Sequence, residues 1–331
     1  MGFFAKLFDF FTAKKTQKNK ELGKQAAGEE KEYRTLSAME KKYHQALGGM
    51  LGKIGLLGFD EPGAAKFGLD KIYVDLNISQ FADREMFEKI GVAGRQGTDK
   101  LPMEDVVMFT FHEHKRGVLL ISGDPGSGKT TLCSRLFESC LEKNTYRKMG
   151  FKKAVIPLYF PLRDLDAEKN FSQNFAAWCN DRDCTLAEAD FEKWFNNQQP
   201  VLLMLDGLDE ISSFHKRQQA CDRIAKLAGR TNCFIIVTSR RSAMQRESSA
   251  DKLSLDFDHL HARLCDFDAE QKAVFLNKWF TAVRLREIPE AGQSAGKWQK
   301  QQKANAEKAA KTLLDYLQKT ENKNLNELAG I

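Results

Sequence analysis

Between about residue 104 and residue 268, apolar and polar positions follow two alternating rhythms. Residues 117–122, 153–160, 201–205 and 233–237 are short runs that are apolar almost throughout. Between them, stretches at 130–142, about 170–196 and 214–228 carry apolar residues at the i, i+3/i+4 spacing of helices. A fifth strand is expected near 263–267. Strands apolar on both faces and separated by helices predict a parallel sheet covered on each side. The expected fold is therefore α/β, a parallel five-stranded sheet flanked by helices. After it, helices at about 269–284 and 300–319 with no further strand signal mark the start of a C-terminal helical subdomain, 269–331.

Ahead of this core, 71–78 reads as a short strand. Residues 20–50 are polar, Lys/Glu-rich and helical in pattern, and Gly48, Gly49 and Gly52 then open a loop-like region. At the N-terminus, Phe3, Phe4, Leu7, Phe8 and Phe11 keep a helical rhythm, with Lys6, Lys14, Lys15, Lys18 and Lys20 around and behind them. The basic residues follow the apolar part and no cleavage site appears, so this is not a secretory signal. Lys6 also stands where a myristoylation signal needs Ser or Thr. Two readings remain open: an amphipathic helix on a membrane surface or a partner, or a helix packing its Phe face on the domain behind it. The resulting division is 1–66 as an N-terminal helical segment, 67–268 as the nucleotide-binding domain argued below, and 269–331.

Composition narrows the class. At 331 residues the chain allows about two domains. No apolar run approaches the roughly 20 residues of a membrane span. Seven cysteines with no C-x-x-C pair argue against a disulfide framework and a thiolate zinc site. They suit a reducing cytoplasm, with peripheral attachment at the inner membrane if residues 1–20 bind lipid. A net charge of +6 is mild and does not indicate nucleic acid.

The chemistry begins where the first strand ends. Gly123-Asp124-Pro125-Gly126-Ser127-Gly128-Lys129-Thr130 fits G-x-x-x-x-G-K-[ST], placed after a strand and opening a helix. Glycines let successive N–H groups turn inward to phosphate oxygens, and the helix N-terminus adds its positive dipole end. Lys129 would reach the β- and γ-phosphates, and the Thr130 hydroxyl would ligate Mg²⁺. The third strand ends in Leu205-Asp206-Gly207-Leu208-Asp209-Glu210. Asp206 is placed to hold Mg²⁺. Asp209 and Glu210 are the candidates for orienting an attacking water, Glu210 slightly ahead. After the fourth strand come Thr238, Ser239, Arg240 and Arg241. If that strand lies between the first and third, Arg240 faces the γ-phosphate and can sense it. The bland alternative is a basic loop paired with a surface acid. Arg241 is expected to be solvated.

Together these pieces resemble the NACHT family of signal-transduction ATPases within the STAND group. The resemblance is carried by GDPGSGKTT (123–131, ending in Thr131), LLMLDGLDEI (202–211) and IIVTSRR (235–241). IPLYFPLRDL (156–165), CDFDAEQKAVFLNKWF (265–280) and IYVDLNI (72–78) support it. It covers roughly 70–331. It implies a switch that binds ATP or dATP with Mg²⁺, closed with ADP and oligomerising with ATP to release an N-terminal effector. It also implies slow regulatory hydrolysis and a role in antiphage defence or stress sensing. Arg163 matches a recurrent family arginine, for which a salt bridge at a helix start is the simpler reading. The family normally continues beyond a segment like 325–331 into a winged helix and a repeat-rich sensor. The chain is therefore expected to be a fragment or a form without those parts. The first 60 or so residues match no known effector domain.

Other features carry less. His112-Glu113-His114 lacks the i, i+4 pairing of a zinc helix and is expected to be a solvated loop. Cys179 and Cys184 are expected to be buried thiols, and Trp178, Trp194 and Trp279 core residues. The basic helix at 297–319, with Leu313, Leu314 and Leu317 on one face, is expected to pack in the helical subdomain. Two other functions are weighed: a P-loop kinase for a small acceptor, for which no arginine-rich lid is found, and a non-hydrolysing, nucleotide-bound docking module. The absence of an N-K-x-D motif makes a GTPase the weakest reading.

Overall fold

The computed structural model of the chain describes residues 34–47, 72–74, 76–81, 101–113, 117–240, 257–285 and 294–319, with the short pieces 51, 53–54, 67–68, 115 and 255. The Phe-rich segment 1–20, Arg241, His114 and the segment 325–331 lie outside the described residues.

Seven strands form one sheet. They are β1 (Asn77–Phe81), β2 (Leu101–Pro102), β3 (Val118–Ser122), β4 (Ile156–Pro161), β5 (Val201–Asp206), β6 (Cys233–Ser239) and β7 (His259–Leu264), in the order β2-β1-β7-β3-β6-β5-β4. The five strands β7-β3-β6-β5-β4 run parallel, as their apolar character requires, and every residue of β3, β4 and β5 is buried. The fourth strand of this set, β6, lies between the first and third. β1 and β2 add an antiparallel edge.

Two strand expectations need correction. The fifth parallel strand spans His259–Leu264 rather than 263–267, because alternate positions, Leu260, Ala262 and Leu264, face the core while His259, His261 and Arg263 do not. The entry strand begins at Asn77, later than 71–78, because pairing with β2 and β7 starts at Asn77 and Ile78.

Among the described residues the α-helices are α1 (Ala38–Ala46), α2 (Met103–Met108), α3 (Lys129–Leu141), α4 (Phe171–Asn180), α5 (Glu188–Asn196), α6 (Phe214–Ala228), α7 (Ala269–Arg284) and α8 (Ala295–Leu317). The expected helical segment at 170–196 is two helices, broken after Asn180 where Asp183 takes a positive φ of 56°. Trp178 and Trp194 are buried, as are Cys179 and Cys184; Trp279 is only half-buried, against Phe280. His112 is not in a solvated loop. It lies within a π-helical turn, Phe109–Glu113, and packs edge-on to Phe151 and beside Phe234. Among the described residues no three or more His, Cys, Asp and Glu side chains cluster as a metal cage would need, and no helix is long and apolar enough to cross a membrane. α7 and α8 pack together, with Trp298, Ala306 and Ala310 buried.

α1 is built into the sheet edge. Ser37 caps it, accepting the Glu40 N–H at 3.2 Å while the Glu40 carboxylate accepts the Ser37 N–H at 2.9 Å. One turn on, the Tyr43 hydroxyl donates to the Tyr159 carbonyl at 2.6 Å and accepts the Tyr159 N–H at 3.0 Å. Tyr159 lies on β4, the sheet's outer strand, so this one hydroxyl satisfies backbone groups an edge leaves unpaired. The Tyr43 ring packs among Phe175, Trp178, Phe191 and Trp194.

Arg34 fastens the same segment. Its guanidinium donates to the carbonyls of Cys140 and Val155, each at 3.0 Å, and pairs with Glu40. Burial opposes the Glu40 charge, but Arg34 and the Ser37 N–H outweigh it and hold the carboxyl below its ordinary value of 4.5. A depressed folded-state pKa contributes stability at neutral pH that is lost as pH falls below 4.5 and through the folded value. Arg34→Met should therefore cost about 1–3 kcal/mol at pH 7 and less at pH 3, where protonation weakens the Glu40 pair but the two carbonyl bonds remain. Urea denaturation at the two pH values checks this.

Candidate nucleotide site

The site forms where the C-terminal ends of β3, β5 and β6 come level. Ser122 is in register with Ser239, and Leu205 with Val237. Directly after β3 the chain turns, the Gly123 N–H donating to the Ser239 carbonyl at 3.2 Å and the Ser127 N–H to the Asp124 carbonyl at 3.1 Å. Gly128 caps α3 with φ at +88°, a left-handed conformation that side chains rarely adopt. That turn leaves the first N–H groups of α3 directed into the loop, an arrangement suited to anions.

Lys129 folds over the loop, its ammonium donating to the carbonyls of Gly123 and Asp124, each at 2.9 Å. Half-burial lowers its pKa, and the nearby charges of Asp209 and Asp206 oppose the shift. Thr130, the next residue, donates to Asp206 Oδ2 at 2.6 Å. Asp206 is 9% exposed. Its Oδ1 accepts from Thr238, whose hydroxyl in turn accepts the Gly207 N–H at 2.9 Å.

Gly207 turns the chain out of β5 with φ at +83°, and a Cβ there would come within 2.9 Å of Glu210 Cδ. Only glycine lets the Glu210 side chain fold back over the turn. The two candidate acids are thereby separated. Asp209 is engaged: its carboxylate accepts the Arg240 N–H at 2.8 Å and pairs with the Arg240 guanidinium at 3.0 Å, with its side chain 10% exposed. Glu210 is exposed and pairs with Arg163 at 3.8 Å. Arg163 sits in a helical turn, Leu162–Asp164, and also reaches Asp164 at 3.8 Å. Of the sequence candidates, Lys129, Thr130, Asp206, Asp209 and Arg240 converge and Glu210 flanks them. Gly123, Asp124, Pro125, Gly126, Ser127 and Gly128 form the loop, and Thr131 continues into α3.

A family model, the NACHT domain, matches residues 117–283, half of the chain. The chain belongs to the NACHT family. The matched NACHT region contains the whole site and ends with α7. No curated protein sequence matches the chain significantly. Among solved structures, C. elegans PCH-2 is similar at 15% identity and a TM-score of 0.35, over 69% of this chain and 55% of that one. Domain III of the Thermotoga maritima replication initiation protein DnaA is similar at 15% identity and a TM-score of 0.33, over 57% and 70%. A Walker-type ATPase of Pyrococcus abyssi is similar at 12% identity and a TM-score of 0.35, over 63% and 61%. The NACHT chain thus spans little more than half of the C. elegans chain. At these scores the likenesses assign it neither activity nor partner.

Two residues of the NACHT site escaped sequence reasoning. Thr238 was legible as a polar residue at a strand tip, without a role. Tyr159 was hidden inside an apolar strand; its hydroxyl donates to Asp206 Oδ2 at 3.1 Å. Burial, then the Asp206 charge, push its pKa far up, so it remains a donor. The available signal was that a buried tyrosine hydroxyl needs a partner.

Proposed function

We propose that this NACHT protein is a nucleotide-operated switch that binds and slowly hydrolyses ATP or dATP, closed with ADP and oligomerising when ATP is bound. The observation that supports it most is the meeting of Lys129, Thr130 and Asp206 at the level ends of three strands, under the N-terminus of α3. The loop amides and the Lys129 ammonium would bind the β- and γ-phosphates by charge-assisted hydrogen bonds. Thr130 and Asp206 offer two hard oxygen donors 2.6 Å apart, a set that suits Mg²⁺, which takes few protein ligands and completes its shell with phosphate and water. Bound there, Mg²⁺ would neutralise charge on the phosphates during transfer. Glu210, with its carboxylate exposed over the Gly207 turn just after Asp206, is the residue we assign to orienting water and accepting its proton. Arg240, docked on Asp209, is the residue we assign to reporting the γ-phosphate.

In this reading 67–268 is the nucleotide module and 269–331 begins a helical subdomain that moves with it. Residues 1–20 engage a membrane surface or a partner protein, and the output is signalling in antiphage defence or stress sensing. The test is the mass of the purified protein in ADP and in a non-hydrolysable ATP analogue. A larger assembly with the analogue is expected; equal mass in both would overturn the switch.

A further inference from the structure

We propose that Tyr159 is a positioning residue for Asp206, holding its carboxylate in the orientation that faces Thr130. The inference rests on the reading of Asp206 as the Mg²⁺-holding acid.

Asp206 Oδ2 accepts from both Thr130 and Tyr159, at 2.6 and 3.1 Å, and Oδ1 accepts from Thr238. All three donors are neutral hydroxyls. They orient the carboxylate while leaving its charge uncancelled, which is what a site for a divalent cation requires. The three differ in how firmly they are mounted. Thr130 lies in the first turn of α3, beside the loop that must adapt to phosphate. Thr238, buried on β6, donates to the other oxygen, Oδ1, and accepts the Gly207 N–H. Tyr159 is 3% exposed and its backbone is gripped on both sides. On one side β4 pairs with β5, Tyr159 opposite Met204 and Pro161 opposite Asp206. On the other, the Tyr43 hydroxyl bonds both the N–H and the carbonyl of Tyr159. The phenol therefore reaches Asp206 from a strand with little freedom to shift. The same bonds connect α1, in the N-terminal segment, to the metal-holding acid through two tyrosines.

The test follows binding of a fluorescent ATP analogue to the full chain while Mg²⁺ is titrated, against a reference in EDTA. In Tyr159→Phe the ring is kept and only the hydroxyl is lost. Analogue affinity in EDTA should equal that of the wild type, while the Mg²⁺ concentration at half-maximal effect rises about 10–100-fold. Damage confined to packing would lower both affinities together. Tyr43→Phe, which frees the Tyr159 peptide but leaves its hydroxyl, should move the Mg²⁺ midpoint the same way by a smaller factor. A wild-type midpoint in folded Tyr159→Phe overturns the proposal; should that variant not fold, a wild-type midpoint in Tyr43→Phe does so. Asp206→Asn separates the two layers of the argument. If it too keeps the wild-type Mg²⁺ response, the assignment of Asp206 has failed, and the role of Tyr159 falls with it.

Discussion

Lys129→Ala should lose nucleotide binding, with affinity falling roughly a hundredfold or more. The expectation follows from the position of the ammonium, folded over the loop on the carbonyls of Gly123 and Asp124. A lysine so placed can transfer its donors to phosphate oxygens with only a small movement of its stem. Each hydrogen bond to a charged group contributes about 1.5–3 kcal/mol, so two bonds account for the predicted loss. The fold should survive. The Lys129 head makes only these loop contacts among the hydrogen bonds described, and half-burial already disfavours its charge. Equilibrium binding with a labelled nucleotide, beside a thermal melt, measures both. A variant that binds as the wild type does would show that the loop amides alone hold the phosphates.

Glu210→Gln should retain ATP and slow its hydrolysis by about 10²–10⁴-fold, the usual contribution of a positioned general base. The sequence left two acids in contention, and their surroundings separate them. Asp209 has committed both oxygens to Arg240, one to the N–H and one to the guanidinium, so taking a proton from water would break that docking. Glu210 folds over Gly207 and, among the described residues, pairs with Arg163 in an exposed contact worth little in water. Its carboxylate is free to turn towards the loop. Asp209→Asn should act differently, loosening Arg240 and weakening discrimination between ATP and ADP. Single-turnover hydrolysis and binding of both nucleotides by the two variants test the division. Normal turnover in Glu210→Gln would return the base to Asp209 or place it elsewhere.

The parallel core was legible because its strands are buried on both faces and so read as unbroken apolar runs; Val201–Asp206 is the clearest case, all six residues buried. α6 and α7 were legible to the residue, since each presents an apolar stripe with polar flanks. β7 was misplaced because its pattern alternates, with His259, His261 and Arg263 on its more exposed face. The break between α4 and α5 was missed because Asp183, not glycine, takes the left-handed turn. Within the site, the phosphate loop and Asp206 stood out by spacing along the chain. The pairing of Asp209 with Arg240 joins residues 31 apart, and Tyr159 meets Asp206 across 47. No local pattern announces such contacts; they depend on strand order and register.

The most direct measurement is a calorimetric titration of the purified full chain with ATP in Mg²⁺, beside Lys129→Ala. One adenine nucleotide bound per chain by the wild type, and none by the variant, is the predicted result. A wild-type protein that neither carries nor takes up adenine nucleotide would contradict the account at its root.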